Sequence, residues 1–149
     1  MLEGIKKLHF VGIGGVGMSA IAEVMLDKGY EISGSDLSES AVVKHLKAKG
    51  ATIYKGHDAL NVEGKEALVL SSAIHQDNPE LVAAKAKGLK LFHRSDILAY
   101  LLNDAKGIAV AGAHGKTTTS SMISVVLEHA KVDPTILIGG FVDYLKGNA

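Results

Sequence analysis

Two glycine-rich turns stand one hundred residues apart, at Gly12 and Gly112, and each separates an apolar run from a helix-like segment. A strand that breaks on glycines and re-enters as a helix opens a βαβ unit, so two of them direct the chain toward α/β architecture. In the first unit, Lys7 to Gly12 (KLHFVG) reads as a buried strand. Gly15 to Lys28 carries Val16, Ile21, Val24, Met25 and Leu26 on a broad apolar stripe and stops at Gly29, as a helix should. The alternation then continues. Tyr30 to Ser35 reads as a strand, Ser40 to Lys49 as a helix closed by Gly50, and Thr52 to Tyr54 and Ala67 to Ser71 as strands. Pro79 to Lys87 follows as a helix with proline in its first turn, where a missing N–H costs nothing. Leu89 to Phe92 is a further strand, and Ser95 to Leu102 a helix with Ser95 as the expected N-cap.

The expected fold is therefore a Rossmann-like, mainly parallel sheet with helices on its faces. The pattern pauses in polar residues at Asn103 to Gly107 (NDAKG), which places a domain boundary there, with one unit at 1–103. The segment 104–149 then opens a second unit of the P-loop ATPase kind: Ile108 to Ala111 as strand, a glycine turn, Lys116 to Ala130 as helix, and Thr135 to Ile138 as strand. With 47% apolar residues in 149, a proper core can be buried. Sixteen basic residues cancel sixteen acidic ones, which argues against a nucleic-acid partner. The chain has no cysteine, so disulfides and cysteine-based metal sites or nucleophiles are excluded. No stretch approaches the ~20 apolar residues that span a bilayer, and the first residues lack the features of a secretory signal. A cytoplasmic chain without membrane insertion is the expectation.

The first turn, Gly12-Ile13-Gly14-Gly15-Val16-Gly17, fits G-x-G-x-x-G. In that pattern the first glycine permits the tight turn, the second lets a pyrophosphate approach the backbone, and the third lets helix and strand pack closely. The phosphates rest on the unpaired amides and positive dipole end of the following helix. Asp36 ends the second strand, 24 residues after Gly12, where a carboxylate can bond ribose hydroxyls. These features favour a nucleotide over a purely structural turn but leave NAD, FAD and UDP-sugars open.

The second turn is sharper: Gly112-Ala113-His114-Gly115-Lys116-Thr117-Thr118-Thr119, again between an apolar strand and a helix. Backbone amides of such loops cradle phosphates, the lysine neutralises β- and γ-oxygens, and the next hydroxyl ligates Mg²⁺. Those roles fall on Lys116 and Thr117. The full G-x-x-x-x-G-K-[ST] pattern would need glycine at position 110, which is Val110, so the loop is a shortened variant.

Other residues read plainly. The seven histidines, at 9, 45, 57, 75, 93, 114 and 129, form no i, i+4 pair; most are expected at the surface or at strand ends, and His114 is the exception because it lies in the phosphate loop. Met18, Met25 and Met122 fall at helical positions suited to core filling. Lys44, Lys47 and Lys49 suit a solvated helix face. Ser19, Ser120 and Ser121 sit in no nucleophile elbow.

A nucleotide turn followed a hundred residues later by G-x-H-G-K-T-T is not a dehydrogenase pattern. It resembles the Mur ligase family, through HFVGIGGVGMSAIAEVM (9–25), SGSD (33–36), SSAI (71–74), DNPE (77–80) and AGAHGKTTT (111–119), and its wording is similar to the L-alanine-adding member. The resemblance covers essentially the whole chain. It implies an intact enzyme of three domains, of which the first and the opening of the second are present. It implies that the pyrophosphate and uridine of UDP-N-acetylmuramate lie against Gly14, Gly15, Val16 and Gly17, with Asp36 and the Ser72-Ala73-Ile74 turn around the uridine. His57 and Arg94 match further substrate positions, with ATP on Gly112 through Thr118 and Mg²⁺ on Thr117. Ala113 departs from the threonine expected in that loop, a change that a backbone-donating position should tolerate. The implied chemistry is activation of a carboxylate by ATP, then attack by the amine of L-alanine. The later metal-binding residues and the amino-acid site would lie beyond Ala149, so no ligase turnover is expected of the 149 residues alone.

Three other readings remain open on the sequence. A nicotinamide-dependent oxidoreductase or sensor would explain the first turn and Asp36 but not the second turn. A non-catalytic UDP-sugar module would lack ATP binding. A family member that recycles a murein tripeptide is nearer, although the GIGGVGM wording favours the alanine adder. Ile123, Val126 and Leu127 are expected to pack on the first domain or on a second copy, because unpaired strand edges seek partners.

Overall fold

The computed structural model describes residues 1–139. Its centre is a five-stranded sheet, all parallel, built from β1 (Lys7–Val11), β2 (Glu31–Asp36), β3 (Thr52–Lys55), β4 (Ala67–Leu70) and β5 (Lys90–His93) in the spatial order β3-β2-β1-β4-β5. The helices are α1 (Val16–Asp27), α2 (Ala41–Ala48), α3 (Pro79–Ala86), α4 (Arg94–Asn103) and α5 (Lys116–His129), with a 3-10 turn at Ala59–Val62. The Rossmann-like sheet expected from the alternation is the observed one.

Period-two alternation sorts the strand residues between two cores. Leu8 and Phe10 of β1, Ile32 of β2, and Ala67 and Val69 of β4 face α1, α2 and α4, where Ile21, Met25, Leu46 and Ile97 complete the larger cluster. Val11 and Leu68 face the other way, onto Val62, Leu81 and Ala84 from the 3-10 turn and α3. The chain passes from β1 outward to β3 with helices on one face. It then crosses to β4 and builds outward to β5 with α3 on the opposite face. Right-handed crossovers require that change of side, and it creates a switch point between β1 and β4. Ligands of open α/β sheets bind beyond the carboxyl ends of the strands at such a point.

Local signals explain most boundaries. The Ser40 hydroxyl accepts the Val43 N–H and caps α2, and Asn78 caps α3 just before Pro79. The cap of α4 differs from expectation. His93, not Ser95, is the N-cap: its ring accepts the Ser95 N–H while the Asp96 carboxylate accepts the His93 N–H, so the helix starts at Arg94. That reciprocal box outcompetes the hydroxyl, and it brings Arg94 onto the first turn of α4.

Residues 108–111 and 135–138 form no strand among the described residues. Ile108 is exposed at 60%, and a strand without a neighbour leaves its backbone groups unpaired. Of the three α5 residues expected to pack, Ile123 and Leu127 are half-buried, whereas Val126 is 66% exposed. Met122 is likewise exposed, against its expected place in a core, while Met18 and Met25 are buried as expected. Leu137 packs against the larger cluster and Ile138 is buried. No helix among the described residues is long and apolar enough to cross a membrane.

Candidate functional site

The first glycine turn leaves β1 at the switch point. Gly12 takes a positive φ of 73°, a conformation that costs glycine little. Its N–H and that of Ile13 both donate to the Ser35 carbonyl, at 2.8 and 3.0 Å. The Gly14 N–H donates to Asp36 Oδ2 at 2.8 Å. Asp36 is thus bound to the turn itself, and its Oδ1 accepts the backbone and hydroxyl of Ser38. Gly15 caps α1 without any side-chain bond. Among the described residues the Gly17 N–H meets no acceptor, so it joins the dipole in facing outward at the helix mouth.

Arg94 lies across that mouth. A Cβ built on Gly17 would fall 2.7 Å from Arg94 Nη1, so Gly17 makes room for a guanidinium rather than for the strand, as the motif had suggested. No hydrogen bond or ion pair among the described residues engages that guanidinium, which is half-buried. A planar cation above free amide N–H at a helix start is a fitting receptor for phosphate. The turn after β4 closes the other side: Ile74 Cδ1 comes within 3.7 Å of a Cβ placed on Gly12, with Ser72 and Ala73 exposed beside it. Gly14, Gly15, Val16, Gly17, Asp36, Ile74 and Arg94 therefore gather at the carboxyl ends of the strands, where the switch point opens a crevice, with Ser72 and Ala73 on the same turn as Ile74.

His57 stands at the rim of the same edge, but its contacts run inward. Its Nδ1 is 2.8 Å from Glu80 Oε2 and 3.0 Å from Ser35 Oγ. Glu80 itself has no exposed surface. Its Oε1 also accepts Asn61 Nδ2 at 2.7 Å and meets His9 Nε2 at 3.2 Å, and its Oε2 accepts the Ser35 hydroxyl at 2.7 Å. His9 in turn meets Ser33 Oγ at 2.9 Å. Burial pushes the Glu80 carboxyl up, but the bonds from His9, Ser35, Asn61 and His57 outweigh it and hold it down at about 2. His9 is fully buried, correcting its expected place at a strand end. The reason is that β1 turns His9, and β2 turns Ser33 and Ser35, toward the α3 face. The polar letters in two apolar strands were the available signal for this cluster, and Glu80 in the first turn of α3 was its missing partner.

The second turn stands apart from the sheet. Residues 111–119 are all exposed. Gly115 caps α5 at φ 77° without a side-chain bond, and the first helical amide taken is that of Thr119, by the Gly115 carbonyl. The amides of Lys116, Thr117 and Thr118 are left at the helix mouth, as an anion site requires. Lys116 Nζ folds back onto the Gly112 and Ala113 carbonyls at 2.5 and 3.2 Å. His114 and Thr117 are exposed in the same loop, and the Thr117 carbonyl accepts the Ser121 hydroxyl. These donors fit a nucleoside triphosphate, and the Thr117 hydroxyl, unpaired among the described residues, fits one position of a magnesium shell.

The model for the Mur ligase family, catalytic domain, matches residues 7–106, which span the whole sheet and stop short of the second turn. The chain belongs to the Mur ligase family. A UDP-N-acetylmuramate–L-alanine ligase from Hydrogenobaculum sp. is 56% identical over 147 residues, covering 99% of this chain and 33% of the relative. The crystal structure of the UDP-N-acetylmuramate–alanine ligase of Thermotoga maritima is similar with a TM-score of 0.87 and 36% identity, over 95% of this chain and 34% of that one. The UDP-N-acetylmuramate:L-alanyl-γ-D-glutamyl-meso-diaminopimelate ligase of Neisseria meningitides gives a TM-score of 0.89 at 31% identity, over 98% and 46% respectively. This Mur ligase chain thus spans about a third of the length of the curated relatives it matches.

Proposed function

We propose that the chain is the front part of a UDP-N-acetylmuramate–L-alanine ligase, with residues 1–103 holding the UDP-sugar and 104–149 opening the ATP-binding unit. The observation that carries this reading is the Arg94 guanidinium, unengaged among the described residues and laid over Gly17 at the mouth of α1. A diphosphate is the part of the proposed substrate that a cation and a helix amide would hold together. Asp36 and the Ser72-Ala73-Ile74 turn would flank the nucleoside, and His57 would meet it from the rim.

On the second turn, Gly112, Ala113, His114, Gly115 and Thr118 would surround the triphosphate of ATP. Lys116 would exchange its two carbonyls for phosphate oxygens, and Thr117 would hold Mg²⁺. Bound magnesium would neutralise charge on the phosphates. In the proposed whole-enzyme reaction the γ-phosphoryl of ATP passes to the lactyl carboxylate, giving an acyl phosphate and ADP. The amine of L-alanine then attacks the acyl carbon, phosphate leaves, and an amide remains. The residues of this chain contribute positioning and charge neutralisation.

Calorimetric titration tests the reading. UDP-N-acetylmuramate should bind the 149-residue chain and lose affinity on Arg94→Ala, and Mg²⁺-ATP binding should disappear on Lys116→Ala. Absence of heat with the UDP-sugar, or an unchanged affinity in Arg94→Ala, would overturn it. Robust L-alanine-dependent ADP release by the 149 residues alone would overturn the assignment of the remaining machinery to later sequence. The likeness to the Neisseria ligase supports a second reading, attachment of a murein tripeptide. Competition between L-alanine and tripeptide in the full-length enzyme separates the two.

A further inference from the structure

We propose that Glu80 is a positioning residue for the nucleotide crevice. By accepting the Nδ1–H of His57 it fixes that ring in one tautomer and presents the bare Nε2 to a hydrogen-bond donor on the bound nucleoside. The second half of this proposal rests on the UDP-sugar reading above; the first does not.

The argument begins with the charge. Glu80 is a carboxylate with no solvent around it, and its two oxygens are met by His9, Asn61, Ser35 and His57. Three of those donors are buried and would serve a purely structural role. The fourth is different, because 21% of the His57 side chain remains exposed at the rim of the crevice. The carboxylate dictates which nitrogen of that ring carries the proton. A bare Nδ1 at 2.8 Å from Oε2 would set two lone pairs against each other. Ser35 cannot relieve this, since its only hydroxyl hydrogen goes to Oε2 at 2.7 Å. Nδ1 therefore carries the hydrogen, and in the neutral ring Nε2 is an acceptor. Among the described residues no donor meets Nε2.

The backbone ties this ring to the glycine turn. His57 follows Gly56, whose N–H donates to the Asp36 carbonyl at 2.8 Å. Ser35, beside the ring, receives the Gly12 and Ile13 amides on its carbonyl. The ring is thus tied to the residues that shape the glycine turn. A uridine supplies suitable donors in its imide N–H and ribose hydroxyls.

Nitrogen NMR of ¹⁵N-histidine-labelled chain tests the proposal, with UDP as the probe and His57→Gln to assign the ring. At a pH where the ring is neutral, wild type should show a pyrrole-like Nδ1 and a pyridine-like Nε2, and saturation with UDP should shift Nε2. In Glu80→Gln the side-chain amide can donate to Nδ1, so the tautomer should invert and UDP affinity fall about tenfold, the worth of one hydrogen bond. His57→Gln should weaken UDP by a similar factor, and the double variant by no more than either single one. An Nε2–H or averaged ring in wild type overturns the proposal, and this needs no variant to fold. So does an Nε2 signal unmoved while UDP binds, or a folded Glu80→Gln that keeps wild-type affinity. If wild type binds no UDP, the crevice reading fails with the ligand half of the proposal, while the ring spectrum still decides the role of Glu80.

Discussion

At the residue scale the crevice concentrates two unlike charges. Arg94 is a half-buried cation that nothing among the described residues engages, so replacing it removes little from the fold. Arg94→Ala should leave the melting temperature within a few degrees and weaken UDP-N-acetylmuramate at least tenfold, with a salt-sensitive remainder, as calorimetry would measure. Glu80 is the reverse case, an anion satisfied entirely inside the protein. Its folded value of about 2 lies below its ordinary 4.5. The stability it contributes is therefore complete above the unfolded value and is lost as pH falls toward the folded one. Urea unfolding should show a loss on the order of 2 kcal/mol from this group between about pH 6 and about pH 3, and Glu80→Gln should show a shallower acid limb. Neither charge could be placed from sequence alone. Arg94 is legible only through the family resemblance, and its seat over Gly17 depends on α4 starting one residue after His93. Glu80 stands in the sequence only as the last letter of DNPE, and its partners Ser35, Asn61, His9 and His57 are brought together only by the parallel order of the strands.

At the element scale the glycines of the first unit test how tightly loop and helix must fit. A methyl group on Gly34 would fall 2.6 Å from Ile13 Cδ1 and 2.8 Å from the Phe10 carbonyl. The carbonyl belongs to a sheet strand and cannot give. Gly34→Ala should cost about 1–3 kcal/mol in chemical denaturation, the usual penalty of overpacking. Gly17→Ala meets only the far end of the arginine. That variant should keep or slightly raise thermal stability, since alanine favours a helix, yet lose UDP-sugar affinity as Arg94 is pushed aside. A melting curve beside a binding titration separates the two effects. The five strands and the first four helices were legible to within a residue or two, because hydrophobic alternation, Ser40, Asn78 and Pro79 all state their positions locally. Residues 108–111 read as a strand by the same rules and do not form one. A strand is completed by its neighbours, and no pattern within GIAVA can supply them.

At the scale of the whole molecule, order is unevenly distributed. The sheet is enclosed by two apolar clusters, whereas α5 exposes Met122 and Val126 and buries fully only Ser124. Protection against hydrogen exchange follows buried contact. Amides of β1, β2 and β4 should exchange by global opening, and those of α5 orders of magnitude faster, in a native-state exchange experiment on the 149-residue chain. Equal protection in α5 and the sheet would show that its outer face is covered in solution. The family match and the sheet agree in extent, both ending before the second turn.

Ser35 has both of its polar ends committed. Its carbonyl anchors two amides of the first turn, and its hydroxyl serves the acid beneath. A rearrangement around the interior acid would therefore tug on the lip where the proposed nucleotide would rest, and a nucleotide settling there would press back on the interior. Floor and lip of the crevice are a single mechanical part, joined through one small side chain.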